Sequence, residues 1–338
     1  MNAATTDRAW DGRVANVAQL SQVLRELHPT GPDGGPLAVA AVLNLVVVAD
    51  SAGARDAERV IEALADHQPS RAIVVVRDPS GDGIDAHIEA RAQLMGGARA
   101  ASRVELLHLD LHGAAAEGAA SAVHALLRPD LPVFVWWPST PDSTDPVFRA
   151  LVQRADRLIL EADHGNGAAA LEALSRTVSD RGPAVTDLAW ASLTPWRQLL
   201  NQLITREHLE GMRDGASITI IHTAATPSLT ALLLAGWLRD SVGPSVQIAF
   251  RSESRAGDPS ICEIDLVARG GRRLELSRVS GRAAASVVSH TAAGLTHEHM
   301  MPLPEPTRAQ LLAGELDLQR RDAPFERALR NAQWLAVR

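Results

Sequence analysis

His108-x-Asp110-x-His112 repeats a metal-ligating or proton-carrying side chain at every second position, and His87 and Glu89 do the same in an earlier segment. Alternate residues of a strand share a face, so this pattern could hold zinc or activate a water. It is also what a polar strand face looks like in water, and no bound metal is expected. Gly165-x-Gly167-x-x-Ala170 follows an apolar strand and opens a helix, as a dinucleotide phosphate loop does. The segment after that helix, Arg181-Gly182-Pro183-Ala184, does not read as a second strand ending in an acid, so an ordinary glycine-rich turn is expected. His297-Glu298-His299 lacks the one-turn spacing of a helical zinc pair and reads as solvated loop. The chain has no Gly-x-Ser-x-Gly elbow, no His-Glu-x-x-His, no P-loop and no EF-hand loop.

What the chain lacks narrows the chemistry further. All 33 basic residues are Arg, and there is no Tyr. No lysine can bind a phosphate, form a Schiff base or act as a base, and no phenol can serve as acid or nucleophile. The single cysteine, Cys262, cannot by itself form an internal disulfide or a thiolate zinc site. The 40 acidic residues give a net charge of −7, without the basic surplus of a nucleic-acid binder. Residues 1–11 have no apolar core and do not read as a secretory signal. The most apolar run, Leu37–Ala49, is 13 residues long and contains Asn44, too short for a bilayer. A cytoplasmic protein with neither membrane nor nucleic-acid partner is expected; its oligomeric state is left open.

The elements around these candidates read as α/β. A helix is expected over Trp10–Leu27, then a Pro/Gly-rich break over residues 28–36. Leu37–Ala49 and Arg71–Arg77 are continuous apolar strands flanking a helix at Ala54–Asp66, the pattern of a βαβ unit covered on both faces. Residues 84–94 and 107–111 alternate apolar and polar, predicting an antiparallel hairpin at the sheet edge. Further strands are expected at 131–138 and 157–161, and helices at 114–127, 146–155, 168–178 and 193–204. A strand at 217–222, an apolar helix at 227–241 and short strands between 246 and 290 predict helices with a small β-meander. Residues 307–337 read as two polar helices bearing Phe325, Leu329 and Trp334. The expected organisation is an N-terminal helical arm and linker (1–36), an α/β domain with a mostly parallel sheet plus hairpin (37–163), a second α/β domain (164–302) and a helical tail (303–338).

Trp136-Trp137 ends an apolar strand beside Pro138. Adjacent strand residues face opposite ways, so one of the two rings is a candidate for a partner surface. Trp190, Trp196 and Arg197 are further contact candidates; core packing is the competing fate for all the rings.

Several segments resemble one family when taken together. His67-Gln68-Pro69-Ser70-Arg71 precedes an apolar strand, and Asp130-Leu131-Pro132-Val133 leads into Trp136-Trp137-Pro138. Thr186-Asp187-Leu188-Ala189-Trp190 is followed by Leu193-Thr194-Pro195-Trp196-Arg197, and Ala235-Gly236-Trp237-Leu238 lies in the apolar helix. In this order they resemble the OpcA family, glucose-6-phosphate dehydrogenase assembly proteins of cyanobacteria and actinobacteria. The resemblance implies a two-domain, non-catalytic protein that binds glucose-6-phosphate dehydrogenase and promotes its functional assembly or allosteric activation. It brings no catalytic residue, cofactor or metal with it. Thiol-based redox control, linked to some cyanobacterial members, is not carried over to a chain with one cysteine. The alternative is a nucleotide- or small-molecule-binding α/β enzyme using the Gly165 turn or the His108/Asp110/His112 face.

Overall fold

Strands covered on both faces are apolar without alternation, and two such runs make the centre of the first sheet. They are β3 (Leu43–Ala49) and β4 (Ser70–Asp78), joined by helix α2 (Ser51–Leu64). This computed structural model describes residues 5–27, 38–64, 68–95, 100–179, 181–204, 216–253, 260–268, 271–291 and 293–336. The chain forms two units that interleave in sequence, whereas the sequence reading ran each domain without interruption. The first takes Met1–Leu160, Ser179–Val185 and Leu312–Gln319; the second takes Glu161–Val178, Thr186–Leu311 and Arg320–Arg338.

The remaining strands of the first sheet are β1 (Thr5–Val14), β2 (Ala38–Ala40), β5 (Gly83–Met95), β6 (Ala100–His112), β7 (Val133–Trp137), β8 (Arg157–Leu160) and β9 (Ala184–Asp187). Their order is β1-β5-β6-β4-β3-β7-β8-β9, and β2 pairs with β6 off this path. From β6 to β8 all pairings are parallel, and the β5–β6 hairpin extends the sheet antiparallel as expected. The turn of this hairpin, residues 96–99, lies outside the described residues. Helices α3 (Ala114–Glu117), α4 (Ala119–Leu126) and α5 (Pro146–Val152) complete this region.

The helix expected from Trp10 is a correction. Residues 5–14 are strand β1, paired with β5 from Thr5 opposite Gln93 to Val14 opposite Ile84. Helix α1 is only Val17–Glu26, with the Asn16 side chain accepting from the Gln19 N–H. Spacings of four and three put Trp10, Val14 and Val17 on one helical stripe, but a full ladder against β5 satisfies every second backbone group of that stretch. The linker at 28–36 lies outside the described residues.

Asn44, the polar residue in the apolar run, is buried and fully used. Its Nδ2 donates to the carbonyls of Arg128 (3.0 Å) and Leu131 (3.1 Å), and its Oδ1 accepts from Arg128 N–H (2.9 Å). It thereby pins the turn that delivers β7. In the second family-like segment, this is what Asp130-Leu131-Pro132 is held against. In the first, Arg71 reaches Glu105 on β6 at 2.5 Å and the Leu126 carbonyl at 2.7 Å; His67 lies outside the described residues.

In the second unit, β10 (Ser217–His222), β11 (Gln247–Ser252), β12 (Ile261–Val267), β13 (Arg273–Arg278), β14 (Ala284–His290) and β15 (Thr296–Pro302) form a sheet in the order β11-β10-β12-β13-β14-β15. Only β10–β11 is parallel; the meander is β12 to β15, with β15 added at its end and the 246–251 strand, β11, set apart beyond β10. Residues 254–259, which join β11 to β12, lie outside the described residues. Helices α6 (Gly167–Thr177), α7 (Leu188–Ser192), α8 (Thr194–Leu203) and α9 (Leu229–Val242) precede or interrupt the sheet, and α10 (Arg308–Leu316) and α11 (Ala323–Ala336) follow it. Phe325, Ala328, Leu329 and Ala332 of α11 are buried. The last helix is therefore core, not a polar appendage. No helix among the described residues is long and apolar enough to cross a membrane.

Gly236 explains how α11 comes so close. A Cβ there would lie 2.0 Å from the Ala328 carbonyl oxygen and 2.8 Å from the Ala332 nitrogen, both backbone atoms that cannot turn aside. In an open helix Gly→Ala stabilises by about 1 kcal/mol. Here Gly236→Ala is expected to reverse that sign and cost about 1–3 kcal/mol by overpacking, read as a lower denaturation midpoint; an unchanged or higher midpoint refutes the contact.

Asp187 is the second lever. Its carboxylate accepts from the N–H groups of Ala189 (2.8 Å) and Ala162 (2.9 Å), which caps α7 and fixes the turn after β8. Burial pushes its pKa up to about 7; the two N–H donors pull against that, and the Glu161 and Asp163 carboxylates add to it. Between about pH 4 and 7 the folded protein holds a proton that the unfolded chain has released, so this group's contribution to stability falls as pH rises. Asp187→Asn removes the titration, although its one amide oxygen serves only one of the two donors. Its stability is expected to be lower below pH 5 and to change less with pH than that of the wild type. Parallel stability–pH curves sink the assignment.

Candidate functional site

In an open parallel sheet, ligands bind outside the carboxyl ends of the strands, where the connections leave in opposite directions. The first unit has such a point at β3, which is flanked by β4 on one side and β7 on the other. A cleft of about 710 Å³ opens there. Val48, Ala49 and Trp137 form strand-end walls, and Pro79, Ala116 and Val147 continue the apolar lining. Asp50 and Glu117 stand exposed on its rim, with Ser139 between the strand end of β7 and helix α5.

One charge pair frames this cleft. Arg77 leaves the end of β4 and donates from both terminal nitrogens to Asp145, at 3.1 and 2.6 Å. Asp145 is the N-cap of α5 and also accepts from Val147 N–H at 2.8 Å. Burial pushes its carboxyl upward, but the hydrogen bonds from Arg77 and the α5 backbone outweigh this and hold it below the usual carboxylate range. Asp50 plays the parallel part on α2, accepting from Gly53 N–H at 2.7 Å. The first turn of α2, the natural seat of an anion, thus already carries one of the chain's own carboxylates.

None of these cleft residues stood out in the sequence except Trp137. Their only sequence signals are local: Asp50 and Asp145 each stand immediately before a helix, and Asp145 is followed by Pro146 at the first helical position.

The His108 face is a ladder of histidine–carboxylate contacts. Both ring nitrogens of His108 face carboxylates, Nδ1 that of Glu58 on α2 and Nε2 that of Asp110 at 3.3 Å. His112 lies 3.1 Å from Asp85 and 3.5 Å from Asp78; His87 lies 3.2 Å from Glu89 and 3.5 Å from Asp11. The partners differ from ring to ring, and among the described residues no three His, Cys, Asp or Glu side chains converge as metal ligands. The face is also less wet than expected, because α2 brings Glu58 over it and leaves His108 only 19% exposed. His297-Glu298-His299 is a correction: it is not loop but the middle of β15, the sheet-edge strand paired with β14, exposed on both faces.

The Gly165 turn also departs from its expectation. A strand does follow α6, namely β9, the neighbour of β8, and it ends in an acid, Asp187. The apolar Ala184-Val185 behind Pro183 was too short to register. The geometry is nonetheless not that of a phosphate loop. Asn166 caps α6 by accepting from Ala169 N–H at 3.1 Å, and a Cβ on Gly167 would lie 2.3 Å from the Pro227 carbonyl oxygen. The chain's own backbone, tied by Leu229 N–H to Asp163 at 2.6 Å, takes the approach that a pyrophosphate would need. Asp187 is spent on Ala162 and Ala189.

Of the contact candidates, Trp136, Trp137, Trp190 and Trp196 are 0, 5, 1 and 3% exposed. Trp137 packs edge-on against Phe148, with ring centroids 4.9 Å apart, and reaches the cleft. Trp190 donates from its indole nitrogen to Asp322 at 2.7 Å and lies beside Phe325. Arg197, half-buried, stacks over Trp190 at 3.7 Å, and Arg278 lies over Trp196 at 5.6 Å. Both faces of β7 are covered, so neither Trp136 nor Trp137 stands exposed, and the contacts described for Trp137, Trp190, Trp196 and Arg197 are to residues of their own unit.

Comparison with known proteins also finds two domains, but divides them between residues 176 and 183 and without interleaving. Residues 61–176 match the family model described as glucose-6-phosphate dehydrogenase subunit N-terminal domain, and residues 183–329 the corresponding C-terminal domain. Two relatives bear the name "Putative OxPP cycle protein OpcA". That of Nostoc punctiforme is 25% identical over 270 residues, 78% of this chain and 55% of its own length. That of Synechococcus elongatus is 24% identical over 305 residues, 79% of this chain and 67% of its own. The chain thus spans little more than half of the first relative. A solved structure named as oxidoreductase yvaA of Bacillus subtilis aligns with 87% of this chain and 96% of its own at 10% identity, with a TM-score of 0.43, too low to carry an argument. With both of its domains matched in order, the chain belongs to the OpcA family.

Proposed function

We propose that this protein acts without chemistry of its own, by binding glucose-6-phosphate dehydrogenase and promoting its functional assembly or allosteric activation. The observation that supports this reading is the pair of family domains, in order, over residues 61–176 and 183–329, both described as domains of a dehydrogenase subunit. The local geometry is compatible with it. The residues that resembled catalytic or cofactor sites are engaged in holding the chain: His108 with Glu58 and Asp110, Asp187 with two backbone donors, and the Gly167 backbone against Pro227.

A non-catalytic partner changes a rate only by preferring one conformational or assembly state of the enzyme. A tenfold shift between two states needs about 1.4 kcal/mol of differential binding. Linkage makes the effect reciprocal: substrate that favours the activated state must tighten the complex by the same factor.

The test mixes the protein with glucose-6-phosphate dehydrogenase of the same organism and measures size-exclusion mass, rate and substrate affinity. A complex is expected, with a higher rate or a larger enzyme assembly, and tighter association when substrate is present. Separate elution at micromolar concentrations, or a complex that leaves rate, assembly and substrate affinity alike, refutes the reading. Turnover of glucose-6-phosphate by this chain alone would refute the non-catalytic part.

A further inference from the structure

We infer that the cleft at the carboxyl ends of β3, β4 and β7 is a socket for a basic side chain with an apolar neighbour, presented by the protein partner. The inference rests on the proposed partner reading and specifies the surface by which this chain would meet the dehydrogenase.

Charge selects the occupant. Asp50, Glu117 and Asp145 face the cleft with Arg77 as the cation among its lining residues, and Arg77 is bound bidentately to Asp145. Glu117, and Asp50 alongside its bond from Gly53 N–H, present exposed carboxylates to whatever enters. A phosphate or other anion is disfavoured twice, by those carboxylates and by the Asp50 side chain seated in the first turn of α2. The far end of the same strands has the opposite character: a smaller cleft of about 380 Å³ there sets Arg25, Arg71 and Arg128 around Glu105. The acidity of the carboxyl end is therefore local, and not the chain's general surplus of acid.

Shape agrees with charge. A volume of about 710 Å³ lies within the roughly 300–1,000 Å³ of ligand-sized clefts. Its Trp137, Val147, Pro79 and Ala116 surface would cover an arginine's or lysine's methylene stem and an adjoining apolar side chain, while the charged head reaches the rim carboxylates. Buried anchors of this kind in preformed sockets carry a large share of interface energy. Arg77–Asp145 preorganises the socket by holding the end of β4 to the start of α5, so little ordering is left for the moment of binding.

The test neutralises the rim in the full chain. Asp50→Asn keeps an oxygen for the α2 cap, and Glu117→Gln alters an exposed side chain; Arg77 and Asp145 are left intact. A control of equal charge change, Glu298→Gln with Glu305→Gln, alters exposed carboxylates of the other unit. Affinity for the dehydrogenase is measured by calorimetry at low and high salt, with thermal midpoints to verify folding. The rim variant is expected to bind about tenfold or more weakly at low salt, with the gap narrowing as salt screens the pair, while the control stays near the wild type. Equal affinity of rim variant and wild type, or an equal loss in the control, overturns the socket and leaves the partner reading standing. No binding by the wild type overturns both.

Discussion

The first unit depends on a charge pair formed across 158 residues of sequence. Arg157, at the start of β8 and fully buried, is hydrogen-bonded to Glu315 of α10, itself nearly buried. Two charges taken out of water cost several kcal/mol each, and only a close, well-directed pairing repays it; removing one partner strands the other at a cost of about 3–5 kcal/mol. The pair therefore does not add much net stability over a well-packed apolar substitute, but it makes any arrangement without Leu312–Gln319 expensive. Gln68, donating to Asp317 at 2.6 Å, fastens the same segment to the entry of β4. The interleaving of the units follows: a short stretch near the end of the chain is structurally part of the first sheet's domain.

A chain without lysine has to build its cationic contacts from arginine, and the second unit uses the flatness of that group. Guanidinium groups lie over Trp190, Trp196 and Trp334, with Arg239 only 3.5 Å from the last. A lysine would offer a compact, strongly hydrated charge in these places; a planar guanidinium can stack on a ring and keep donors free at its edge. Arg197 does so, lying over Trp190 while donating to Thr194 at 2.9 Å. Trp190 and Trp196 are buried beneath their guanidinium groups, whereas Trp334 stays 38% exposed under Arg239, and Trp136 and Trp137 are buried by the cover on the two faces of β7 instead.

How much of this was legible from sequence varied with the physics of each segment. Strands covered on both faces have an unmistakable pattern, and β3, β4 and the β5–β6 hairpin could be read directly. Strand β1 could not, because Arg8 and Gly12 interrupt the face on which Trp10 and Val14 stand opposite Ile88 and Ile84 of β5; the accidental four-and-three spacing then reads as helix. Strand β9 was hidden by its length, and β15 by its solvent exposure, since polar residues on both faces leave no alternation. The family-like segments were legible as words before they were legible as structure. Each turns out to be a fastening: Arg71 to Glu105, the 128–132 turn to Asn44, Asp187 to α7, Gly236 to α11.

The cleft shows why the candidate site was the hardest part to read. A catalytic or metal motif concentrates its chemistry in one short stretch, so spacing along the chain reports it. The cleft residues come from 48–50, 77–79, 116–117 and 137–147, brought together by strand order and not by sequence separation. Each stretch alone reads as an ordinary helix cap or strand end, and Asp50 and Asp145 do serve as such. What turns them into a surface with a definite charge preference is that β7 leaves the sheet on the opposite side of β3 from β4, so the caps of α2 and α5 face a common opening. A fold of this kind can form a cleft at the strand ends while filling its anion seat with its own carboxylate, and that occupancy favours a cation over a phosphate as the incoming group.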